Sequence, residues 1–153
     1  VAAREERRTV ERDVRVEAPA ESVFKFLVDP DHMIRWIGVE ATLDPRPGGI
    51  YRVNVTGRDV ARGEFVEVVA NERVVFTWGW EDEEHPVRPG SSTVEVTLEP
   101  DGANTIVRLR HFGLPGGPDD PHAQGWEHYL DRLVLAASGA DAGPDPWVTN
   151  WPQ

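Results

Sequence analysis

Cysteine is absent from the 153-residue chain. Disulfides, thiolate metal sites and cysteine nucleophiles are therefore excluded. Basic charge is scarce: 16 Lys and Arg face 27 Asp and Glu, for a formal net charge of −11. Nucleic acid requires a basic footprint that this balance does not provide, and an anionic membrane surface is disfavoured for the same reason. Lys25 stands alone among the basic residues as a lysine, a compositional bias without functional meaning. Long apolar runs are lacking too. None approaches 18 residues, and the first residues, Val-Ala-Ala-Arg-Glu-Glu-Arg-Arg, hold no signal-peptide core, so no membrane segment and a cytoplasmic location are expected.

What is present is enough for one domain, with about 70% of the unfolded surface buried on folding. The organising element is His122–Ala137. At 100° per residue, Trp126, Tyr129, Leu130, Leu133, Val134 and Ala137 share one face, with His122 one turn before Trp126, while His128, Asp131 and Arg132 lie opposite. Pro118 and Pro121 precede this helix and Gly139 follows it, the asymmetry of helix ends.

Before it, Thr9–Glu17 alternates as an edge strand, with Val10, Arg12, Val14 and Val16 on one side. Ala18-Pro19-Ala20-Glu21 opens a short helix with the stripe Val23, Phe24, Leu27 and Val28, and Asp29-Pro30 starts another through Met33, Ile34, Trp36 and Ile37. From Val39 the period becomes two. Val39, Ala41 and Leu43 form one strand face, Tyr51, Val53 and Val55 the next, then Val60–Val69, and then Val74, Phe76, Trp78 and Trp80. Glu81–Gly90 reads as an exposed, mobile acidic loop. Thr93–Pro100 and Thr105–Phe112 form a hairpin, with Val94, Val96 and Leu98 facing Val107, Leu109 and His111. The fold class is α+β: a curved antiparallel sheet in β-α-α-β6-α order, wrapped around the long helix. The domain spans residues 9–138, between tails 1–8 and 139–153.

The order of elements resembles the helix-grip, or START-like (SRPBCC), superfamily. More closely, the chain resembles single-domain bacterial members of the family named for the activator of heat-shock protein 90 ATPase. The resemblance lies in Ala18-Pro19-Ala20-Glu21-Ser22-Val23-Phe24, Trp36-Ile37, Asp44-Pro45-Arg46-Pro47-Gly48-Gly49-Ile50-Tyr51-Arg52, and Gly63-Glu64-Phe65-Val66-Glu67-Val68. It continues through Glu72-Arg73-Val74-Val75-Phe76-Thr77-Trp78, Ser92–Leu98, His111-Phe112-Gly113-Leu114-Pro115 and His122-Ala123-Gln124-Gly125-Trp126. In the eukaryotic chaperone activators this module is the second of two domains, and the asparagine-rich activating motif of the first has no counterpart here. The resemblance implies a hydrophobic ligand pocket.

A sheet wrapped on a helix leaves a cavity between them. Its expected walls are Tyr51, Val53, Phe76, Trp78 and Trp80 from the middle strands, and Val94, Val96, Val107, Leu109 and His111 from the last hairpin. His122, Trp126, Tyr129, Leu130 and Leu133 complete it from the helix. His111 ends the last strand and His122 begins the helix, so both fall at one end of the cavity. They are candidates for an acid-base pair or for orienting a ligand; satisfied polar groups closing the core are the commoner outcome. Glu127 borders the buried stripe and reads as a snorkelling acid. A metal is not expected: His122 and His128 are six apart and diverge by about 120° on the helix period. Gly48-Gly49 lacks the lysine of a phosphate loop, and no serine sits at a nucleophile elbow.

Trp147 and Trp151 in the tail are costly to leave in water, so the tail should fold over the body or onto a partner subunit, as in a homodimer. Three functions fit: binding of a small apolar or aromatic molecule with no cofactor and little or no catalysis, a cyclase or lyase using His111 and His122, or a co-chaperone-like interaction module.

Overall fold

The computed structural model describes residues 9–116 and 120–149. Strand β1 (Val10–Val16) precedes helices α1 (Ala20–Val28) and α2 (Pro30–Met33). Six strands follow: β2 (Glu40–Leu43), β3 (Ile50–Asn54), β4 (Val60–Val69), β5 (Arg73–Trp78), β6 (Ser92–Asp101) and β7 (Asn104–Phe112). Then come the long helix α3 (Pro121–Ala137) and a short α4 (Pro146–Thr149), the latter beyond the expected order. All seven strands form one antiparallel sheet in the order β1-β7-β6-β5-β4-β3-β2. The α+β fold of a curved sheet closed by a long helix is as the sequence pattern predicts.

Alternation set the registers. In the last hairpin Val94 faces His111, Val96 faces Leu109 and Leu98 faces Val107, as the period-two pattern requires. β4 carries an irregularity between Phe65 and Glu67. An extra residue there bends the strand and sharpens its twist, and Val66 stands half in solvent as a result. Helix α3 packs against β1, and α1 packs against α3, β6 and β7. Trp36, just after α2, donates its indole N–H to the Phe26 carbonyl at 2.8 Å. That bond pins the small helices over the sheet.

Some faces differ from expectation. In α1 the buried residues are Val23, Phe26 and Leu27, while Phe24 and Val28 are half-buried; the sheet contacts this helix along a stripe rotated toward Phe26. Ile34 and Val39 are exposed, while Trp36 and Ile37 between them are buried. Glu127 is exposed as well. Strand β5 ends at Trp78, and Trp80 joins the sheet only through a bridge to Ala61.

The loop after Trp80 is not simply solvent-facing. Val87 is buried, the Trp80 N–H donates to its carbonyl at 2.8 Å, and Glu81 forms a two-point pair with Arg52 at 2.8 and 3.2 Å. Gly79 makes this close approach feasible, since a Cβ there would lie 1.9 Å from the Arg88 carbonyl oxygen.

Candidate functional site

Helix α3 starts at the site. Asp120 caps it, accepting from the His122 backbone N–H at 2.9 Å, with Pro121 in the first turn. The same carboxylate oxygen meets His122 Nδ1 at 2.5 Å. On its other side, His122 Nε2 accepts the Trp80 indole N–H at 2.8 Å. An indole nitrogen can only donate, so the imidazole proton sits on Nδ1, toward Asp120. Burial alone would raise the Asp120 carboxyl, but hydrogen bonds from His122 and from the Gly116 N–H outweigh it and hold the group below its ordinary value.

His111 lies next to this pair, its ring 5.4 Å from that of His122. The expected meeting of the two histidines at one end of the sheet is thus present in space, with different surroundings for each. His111 is fully buried, and both nitrogens are engaged: Nδ1 accepts the Trp126 indole N–H at 3.0 Å, and Nε2 meets Ser92 Oγ at 2.8 Å. Ser92 Oγ in turn donates to the Trp78 carbonyl at 2.8 Å. Donor and acceptor roles therefore run in one direction, from Trp126 through His111 and Ser92 to Trp78. Burial, and next the neighbouring His122 imidazole, push the His111 pKa down to about 3.

Beside these residues opens a cavity of about 380 Å³. Of the residues expected to line it, Trp78, Trp80, His122, Trp126 and Tyr129 do so. Tyr51, Phe76, Val96 and Leu109 instead border a void of about 10 Å³ deeper in the molecule, at the lower limit for one water. Val53, Val94, Val107, Leu130, Leu133 and His111 are buried core away from the larger cavity's wall. The centre of the grip is filled by Leu27 and Met33 from the small helices and Trp36 from the turn after them. The space lies at one end.

Further wall residues are Ile37 and Val55, which the periodic pattern turned inward without assigning them to the cavity, and His85 in the acidic loop and Trp147 in the tail, from segments without a periodic signal. Pro121, Gln124 and Gly125 add the first turns of α3. For Trp147 the signal in the sequence is the presence of tryptophans in a polar tail. Trp147 stacks on His128 with ring centres 3.8 Å apart and planes at 14°. Asp145 holds it there, accepting from His128 at 2.9 Å, the Tyr129 hydroxyl at 2.8 Å and the Trp147 backbone N–H at 2.9 Å. Arg58 donates to the carbonyls of Trp147 and Val148, and Arg132 to those of Ala142 and Gly143. The tail folds back on the body through residue 149; Trp151 lies outside the described residues.

Among the described residues no cluster of three or more His, Asp or Glu is placed to hold a metal, and no helix is long and apolar enough to cross a membrane. What the arrangement offers chemically is aromatic contact area with a few fixed hydrogen-bonding groups.

A family model described as "Activator of Hsp90 ATPase homolog 1-like protein" matches residues 17–137. The chain is similar to an AHSA1-like protein from Rhizobium etli solved by NMR, with 46% identity over 91% of this chain and 87% of that one and a TM-score of 0.71. It is 25% identical over 134 residues to an uncharacterised protein of Schizosaccharomyces pombe, covering 82% of this chain and 36% of that protein. This chain thus spans about a third of the curated relative it matches. The Aha1 dimer from Colwellia psychrerythraea shares the fold, with a TM-score of 0.69 at 16% identity over 85% of this chain and 96% of that one.

Proposed function

This chain belongs to the family of activator of Hsp90 ATPase homolog 1-like proteins, and we propose that it binds a small, largely apolar aromatic molecule in the cavity between Trp78, the start of α3 and Trp147. The carrying observation is the wall itself: Trp78, Trp80, Trp126, Tyr129 and Trp147 surround about 380 Å³, within the range of small-molecule sites. Aromatic rings at varied tilts, such as Trp78 and Trp80 at 84° and Trp78 and Trp126 at 54°, give a planar ligand both faces and edges to contact.

Binding without catalysis fits the histidines better than acid-base chemistry does. His111 is held neutral, with both ring nitrogens occupied. His122 has both nitrogens occupied as well, so neither histidine presents a free nitrogen to a substrate. The protein is taken to act in the cytoplasm, and two copies to associate as in the Colwellia homologue.

Native mass spectrometry of gently purified protein, compared with the same sample denatured, tests the reading. A mass excess lost on denaturation is expected, and the same spectrum reads the oligomeric state. Absence of any excess, together with no response of tryptophan fluorescence to small aromatic probes, would sink the proposal and favour an interaction module.

A further inference from the structure

Building on that binding site, we infer that Gly125 is its specificity-determining residue: the side chain it lacks leaves a notch in α3 that admits an aromatic ligand of two or more rings against the helix. Glycine is a poor choice at this place. Inside a helix it costs about fivefold in the folding constant relative to alanine, and α3 runs unbroken around it from Pro121 to Ala137. The fold would require a glycine for a left-handed backbone angle, a helix end or a neighbour too close for a Cβ. None of these holds at Gly125. Its backbone is helical without a positive φ, and a Cβ built on it meets no atom within 4 Å outside its chain neighbours and the helix's own backbone. Gly63 and Gly79 show the contrast, since a Cβ at either would lie 1.9 Å from a backbone oxygen.

The open space at Gly125 is the cavity. Pro121 and Tyr129 stand one turn before it and one turn after it on the same helix face, and both line the cavity together with Gly125 itself. A helical side chain leans toward the N-terminus of its helix, so one at position 125 would cover Pro121 and His122. With glycine there, that first turn stays open to a ligand. The size of the ligand follows from the volume. A cavity of about 150 Å³ holds one benzene ring, whereas this one measures about 380 Å³. A leucine at 125 would occupy space that a second ring needs.

Two neutral probes test this on the full chain: N-phenyl-1-naphthylamine, with three rings, read by its fluorescence, and p-cresol, with one, read by ligand-observed NMR. Gly125→Leu should weaken the three-ring probe by about tenfold or more and retain p-cresol binding, while Gly125→Ala changes the three-ring probe by less than about threefold. Thermal melting supplies the readout that a purely structural glycine would reverse. Gly125→Ala should melt about 2–4 °C higher than the unsubstituted chain, and Gly125→Leu no lower than it. Glu127→Leu, on the exposed side of the same helix, should leave binding of the three-ring probe as it is. Unchanged three-ring binding in Gly125→Leu, absence of p-cresol binding from that variant, or lowered stability of either Gly125 variant overturns the inference and leaves the cavity reading standing. An unsubstituted chain that takes p-cresol but not the three-ring probe does the same. Binding of neither probe to the unsubstituted chain overturns the cavity reading, and this inference with it.

Discussion

The Trp126 indole N–H donates to His111 Nδ1 at 3.0 Å, with both residues buried. This bond fixes the imidazole tautomer and aligns Ser92 and Trp78 behind it. A strand histidine and a helix tryptophan, fifteen residues apart in sequence, thereby join the sheet to the helix at the end where the cavity opens.

The link makes stability depend on pH. The His111 pKa falls from 6.5 to about 3 on folding, so between those values the unfolded chain carries a proton that the native state does not. Stability is full above the unfolded value and is lost as pH falls, by roughly tenfold in the folding constant per pH unit. Urea unfolding at pH 7 and pH 5 should show this loss, and His111→Gln should be less steep. An equal pH slope in the variant would refute the assignment.

Ser92→Ala removes the acceptor for His111 Nε2–H and the donor to the Trp78 carbonyl. Both are buried, so a loss of about 1–3 kcal/mol is expected. Chemical denaturation measures it; a change under about 0.5 kcal/mol would mean that the relay is not formed.

Asp145→Ala cuts three hydrogen bonds that hold Trp147 over the cavity. We expect faster hydrogen exchange confined to the tail after Ala140, and affinity for an aromatic probe about tenfold weaker, the cost of one lost wall. Unchanged exchange in that segment would show that the carboxylate is not the latch.

Gly79→Ala tests the loop that carries His85. A methyl group would fall 1.9 Å from the Arg88 carbonyl, so the loop must move or the strand end must bend. Probe binding should weaken, with thermal stability lowered by several degrees, corresponding to about 1–3 kcal/mol. Wild-type affinity and melting would mean that the loop has another place to sit.

The sequence by itself determined the order of elements, the inward faces of β3, β5, β6 and β7, and the arrival of His111 and His122 at one end of the grip. These follow from period two, period 3.6 and the shortness of the connection between the last strand and the helix. Alternation states which way a side chain faces, however, and is silent on whether anything opposes it. Tertiary structure decided that Val53, Val94, Val107, Leu130 and Leu133 meet packed neighbours, because Leu27, Met33 and Trp36, from the two small helices and the turn after them, occupy the centre. It also brought His85 and Trp147 to the cavity wall. Both lie in segments without regular period, where position is set by single long-range contacts such as Asp145 with Tyr129, and no local pattern encodes those.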